Sequence, residues 1–136
     1  MSAGYSATPL PRKLGIGEGG TFALVDPPDG AAAWLDPLPD GARRVAEPGA
    51  ADVVIAFTTA RETLTRHVGE LASAIFPDRT LWVAWPKRAS KVPTDITEDV
   101  VREIALPLGL VDVKVAAIDE TWSGLKLVWR REHRAA

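Results

Sequence analysis

Two patterns of apolar residues alternate through the middle of this chain. Val53-Val54-Ile55-Ala56-Phe57 is apolar without interruption, as expected of a strand covered on both faces in a parallel sheet. From Arg61 to Phe76 the period changes. Leu64, Val68, Leu71, Ala72 and Ile75 share one helical face, while Glu62, Arg66, Glu70 and Ser73 fall mainly elsewhere. Thr58 or Thr59 is placed to cap this helix, and Pro77 ends it. Leu81 to Trp85 repeats the buried-strand pattern. Ile96, Val100, Val101, Ile104 and Leu108 then return to helical spacing, behind an acidic cap and N3 glutamate supplied by Asp95-Ile96-Thr97-Glu98. Val111 to Ile118 and Leu125 to Arg130 read as two more strands, joined through 119–124 as a hairpin.

The front of the chain is less regular. Residues 1–13 hold Pro9, Pro11, Arg12 and Lys13 without periodicity and read as an extended arm. Thr21 to Val25 is a short strand ended by the turn Asp26-Pro27-Pro28-Asp29-Gly30. Gly15 to Gly20 precede that strand, the wrong side for a phosphate-binding loop, so they read as a turn. Ala31 to Leu35 makes a short helix, Arg43 to Ala46 a weak strand, and 131–136 a frayed charged tail. The alternation predicts one α/β domain over residues 1–136. It is Rossmann-like and three-layered, with right-handed crossovers, helices on both faces of a mostly parallel sheet, and an antiparallel closing hairpin.

Composition narrows the chemistry. Of 136 residues, 46% are hydrophobic and 25% charged, with a net charge of -2 and no cysteine. Disulfides, thiolate metal sites and cysteine nucleophiles are therefore excluded, and the near-neutral charge gives no global pull on polyanions. No recognised motif and only a small basic patch argue against nucleic acid. No apolar run approaches the roughly 20 residues that span a bilayer, and no leader pattern opens the chain, so a cytoplasmic, soluble protein is expected. His67 reads as a packed or rim histidine beside the apolar stripe of its helix, and His133 lies in the tail, so zinc is not expected.

The best functional candidate is the loop after Trp85. Lys87, Arg88 and Lys91 supply positive charge for a phosphate, carboxylate or nucleotide, and Trp85 a stacking face. Thr58, Thr59 and Arg61 sit at the start of the first long helix, on the same expected sheet edge, where free N–H groups favour anions. Asp26 and Trp122 complete that edge. Ser90 beside Lys91 reads as accidental, and Asp119 with Glu120 as a turn whose acids meet the basic loop.

Two resemblances can be tied to residues. Gly4-Tyr5-Ser6, Thr8-Pro9-Leu10, Lys13-Leu14-Gly15-Ile16, Trp85-Pro86-Lys87, Thr97 to Arg102 and Asp119 to Gly124 together resemble a small bacterial family, frequent in actinobacteria, catalogued only as a domain of unknown function. Separately, the break at Ile75-Phe76-Pro77, the strand Leu81-Trp82-Val83 and the closing hairpin are similar to the second half of the S-adenosylmethionine-dependent methyltransferase fold. That resemblance implies the strand order 2-1-3-4-6-5. It also implies a cofactor turn at Asp26 and a ribose-binding acid at Glu47. Two departures stand out: Asp78-Arg79 replaces a paired glycine, and two prolines follow Asp26 where the family has a glycine-rich turn.

Together these readings favour a non-catalytic binding or interaction module for an anionic small molecule or protein partner, as monomer or homodimer, with no cofactor. The alternative is a reduced S-adenosylmethionine-dependent methyltransferase-like enzyme. A further alternative is an oligomeric assembly protein that buries exposed tryptophans between subunits.

Overall fold

The apolar run at 53–57 becomes a central strand because neighbours cover both of its faces. In the computed structural model, which describes residues 8–134, it is β3 (Val53–Phe57). It lies in one sheet with β1 (Thr21–Val25), β2 (Arg43–Arg44), β4 (Thr80–Pro86), β5 (Leu110–Ala117) and β6 (Trp122–Trp129). The six strands run in the order β2-β1-β3-β4-β6-β5. β1 to β4 are parallel, and β6 is antiparallel to both β4 and β5. This is the expected α/β fold with its expected strand order. The turn between the closing strands is shorter than expected, because β5 and β6 pair as far as Ala117 and Ser123.

Both long helices, α2 (Arg61–Ile75) and α3 (Glu98–Ala105), lie on the same face. There Leu64, Val68 and Ile75 of α2 and Val101 of α3 pack over Val54, Leu81 and Val83. The layer on the other face is thin, as only short helical turns cover it among the described residues. The steps from β3 to β4 and from β4 to the hairpin move the same way across the sheet, and right-handed crossovers in one direction fall on one side. The step from β1 to β2 runs the other way. Its short 3-10 helix, Ala31–Leu35, therefore covers the opposite face, together with Leu14 and Ile16 after α1 (Leu10–Lys13). The strand order thus reverses between β1 and β3, which puts the topological switch point at their carboxyl ends.

Single contacts fix the thin layer. Trp82 is fully buried and donates its indole N–H to the Leu14 carbonyl at 2.9 Å. An unsatisfied buried donor would cost about 1–3 kcal/mol, so this bond docks the N-terminal segment on the sheet. Gly124 in β6 lies beneath the same indole; a Cβ there would stand 3.1 Å from Trp82 and 3.0 Å from Ile118. On the helical side, Arg102 of α3 bonds Asp112 of β5 at 2.9 Å and Asp99 at 3.0 Å. The Arg102 bond holds the Asp112 carboxyl below the usual carboxylate range.

Two segments near the limits of the described residues are helical where the sequence suggests none. Residues Leu10–Lys13 make a helical turn, and so do Arg131–Arg134, α4, where His133 packs on Trp129 and Arg134 donates to the Trp129 carbonyl. The Gly4-Tyr5-Ser6 motif lies outside the described residues. No helix among those described is long and apolar enough to cross a membrane.

Candidate functional site

At the switch point the chain leaves β1 through Asp26, whose backbone is left-handed (φ 51°). Few residues other than glycine accept that conformation; aspartate is among those that do. Its Oδ2 lies 3.0 Å from His67 Nε2 of α2. His67 is buried in the apolar stripe of its helix, with its side chain 8% exposed, whereas the Asp26 side chain is 68% exposed. The Asp26 carboxylate accepts the Nε2–H bond, which leaves the other ring nitrogen, Nδ1, to find its own partner. That atom is buried and has no hydrogen-bond partner among the described residues. The pair therefore ties one carboxylate oxygen to α2 and leaves most of the Asp26 side chain open to solvent. His67 is packed, as its spacing predicts. Its bond to a residue 41 positions away has no local signature beyond a polar residue among apolar ones.

The start of α2 differs from expectation. Its cap position is Ala60, without a side-chain bond, and the Arg61 N–H donates to Asp95 Oδ1 at 2.7 Å. The buried Thr58 turns its hydroxyl to the backbone of Ala60, and the Thr59 carbonyl accepts from the Thr94 hydroxyl at 2.6 Å. The Arg61 guanidinium is held by Glu103 at 2.9 Å. The predicted threonine cap is thus replaced by Asp95, a carboxylate the chain itself supplies to this helix end. With Asp95 turned to α2, Thr97 caps α3 by accepting from the Val100 N–H.

The basic loop is a built structure. Arg88–Ser90 form a 3-10 turn, Lys91 follows in a left-handed conformation (φ 64°), and the Ser90 hydroxyl bonds the Lys87 carbonyl. The Lys87 N–H donates to the Thr121 carbonyl, while Thr94 and Asp95 staple the far side of the loop to the start of α2. Between these anchors lies an open cleft of about 440 Å³, lined by Trp85, Lys87, Arg88, Lys91, Thr97 and Ser123 among others. None of its three cations forms an ion pair among the described residues.

Other candidates are placed elsewhere. Trp122 belongs to the opposite face and meets Phe57 edge-on, with ring centroids 5.3 Å apart. Asp119 folds its carboxylate onto the N–H groups of Thr121 and Trp122, and among the described residues neither it nor Glu120 forms an ion pair with the basic loop. Glu47 is exposed just past β2, beside a shallow hollow lined by Leu24, Arg44, Val45 and Ala46. Of the five tryptophans, Trp82 and Trp85 are buried and Trp34, Trp122 and Trp129 half-buried.

No protein-family model and no curated protein matches the chain. Solved structures do share its fold. A SAM-dependent methyltransferase from Aquifex aeolicus aligns at TM-score 0.56 with 14% identity, over 85% of each chain. Magnesium protoporphyrin IX methyltransferase from Synechocystis PCC 6803, solved with bound SAM, aligns at 0.54 with 12% identity, over 89% of this chain and 74% of its own. A protein of the NADB-Rossmann superfamily from Streptococcus agalactiae aligns at 0.51 with 10% identity, over 92% and 69% respectively. The chain therefore has a methyltransferase-like Rossmann fold, and at these identities the likeness concerns the fold alone.

Proposed function

We propose that this chain is a methyltransferase-like protein that binds S-adenosylmethionine at the carboxyl edge of β1 to β3. The observation that carries the reading is Asp26. It makes the left-handed exit from β1 that a glycine-rich turn would otherwise provide, and His67 fixes its carboxylate at the switch point. Pro27 and Pro28 lack backbone donors, so the contact falls to the carboxylate in place of main-chain N–H groups. A fixed, solvent-facing carboxylate accepts hydrogen bonds from ribose hydroxyls and pairs with an ammonium, and the ligand carries both. The fold shared with proteins that use this cofactor supports the assignment.

The test is amide mapping by NMR during titration with S-adenosylmethionine. Saturable shifts centred on Val25, Asp26, Ala46 and Thr58 are expected. A spectrum that does not change, or changes only at the β5 edge, would overturn the reading. A second reading, an anion-binding module without turnover, is favoured by the three cations over β4, which have no ion pair among the described residues. It differs in expecting no response at Asp26.

A further inference from the structure

We infer that the cleft above the carboxyl end of β4 is a binding site for a phosphorylated small molecule of about mononucleotide size, separate from the Asp26 edge. Its volume of about 440 Å³ falls within the range of roughly 300–1,000 Å³ usual for small-molecule sites. Lys87, Arg88 and Lys91 line it together, and none has an ionic partner among the described residues. The guanidinium offers a planar fork and the ammonium groups offer compact charge, the pair of chemistries that suits a multiply charged oxyanion.

Two uncharged hydroxyls extend the donor set. Thr97 accepts from the Val100 N–H, which leaves its own O–H available, and Ser123 stands on β6 on the other side of the cleft. Glu98 is the carboxylate in the lining, and it is already bonded by Arg102. The charge facing a ligand is therefore positive in spite of it. The apolar part of the lining comes from Trp85, Val92, Pro93 and Ile96. Trp85 is only 6% exposed within the core, so it offers no stacking face, and a sugar or base would rest on the exposed Val92 and Pro93.

The loop is also pre-formed. Its bonds to Thr121, Thr59 and the Arg61 N–H hold it at three points, and Lys91 stays in a backbone region that non-glycine residues rarely occupy. Strain of that kind persists where the surroundings impose it, and it is concentrated at ligand clamps. Because the cations are already positioned, binding loses little to ordering them. A compact ligand fits these facts better than a polyanion. The three cations gather in one concavity on a chain of net charge -2, which gives no global attraction to a polyanion.

The test is calorimetric titration of the full chain at fixed ionic strength with uridine 5′-monophosphate, inorganic phosphate and uridine. S-adenosylmethionine is titrated separately, so that the two sites succeed or fail independently. Saturable binding of the nucleotide, competition by phosphate and no binding of uridine are expected. The combined substitution Lys87→Ala, Arg88→Ala and Lys91→Ala should weaken the nucleotide at least tenfold, with an unchanged melting temperature and unchanged response to S-adenosylmethionine. If that variant does not fold, Arg88→Ala alone, at an exposed position, should still cost about threefold. Absence of saturable nucleotide and phosphate binding to the wild type overturns the proposal, and so does undiminished binding to a folded variant.

Discussion

At the residue scale, His67 shows how a buried polar side chain can be tolerated at a cost. Its Nε2 bonds a carboxylate that remains well solvated, so losing that bond returns Asp26 to water cheaply. Its Nδ1 has no partner among the described residues, and burying such an atom costs about 1–3 kcal/mol. His67→Leu should therefore leave the melting temperature unchanged or raise it, while loosening Asp26 and weakening S-adenosylmethionine. A fall of many degrees in a thermal scan would show that Nδ1 has a partner after all. Asp112 offers a pH test. The hydrogen bond from Arg102 depresses its folded pKa below the unfolded value of about 3.9, so its stabilisation is complete above that value. It is lost as pH falls through the folded pKa. Denaturant curves should show wild type more stable than Asp112→Asn by a constant margin above about pH 5, closing toward pH 2. A margin that stays constant down to pH 2 would contradict the role given to Arg102.

At the element scale, the start of α2 depends on a residue 34 positions away. Replacing a capping aspartate by alanine costs about 1 kcal/mol, a drop of about 3–5 °C for a domain of this size. Asp95→Ala should show that loss, whereas Thr59→Ala should lie near wild type because only its carbonyl is engaged. The reverse ranking would restore the threonine cap. This is also where the sequence is most misleading. Asp95 and Thr97 both have capping side chains just ahead of an apolar period, and local spacing cannot say which helix each one serves. The strands were legible because Val53–Phe57 and Leu81–Trp85 are apolar without a break. The turn at Leu10–Lys13 was not, since it owes its order to a docked carbonyl on Trp82.

At the scale of the whole molecule, alternating strand and helix periods are enough for the fold class, and the methyltransferase resemblance supplied the strand order that the structure has. What alternation leaves open is the side on which each connection runs, and that decides why both long helices share one face. The candidate site was legible unevenly for the same reason. Lys87, Arg88 and Lys91 are neighbours in the chain and stay neighbours in the cleft. Trp122, placed with them by its position near a strand end, faces the other layer because side chains alternate along β6 and Ser123 takes the cleft side. Asp26 and His67, 41 positions apart, meet only through the tertiary fold.

The central claim is that this edge binds S-adenosylmethionine through Asp26. The most direct measurement is calorimetric titration of S-adenosylmethionine into the wild type and into Asp26→Asn, which keeps the left-handed backbone accessible and removes the charge. One-to-one binding by the wild type, weakened at least tenfold in the variant with no loss of fold, is the expected result. No saturable heat with the wild type, or equal affinity in both proteins, would contradict the account.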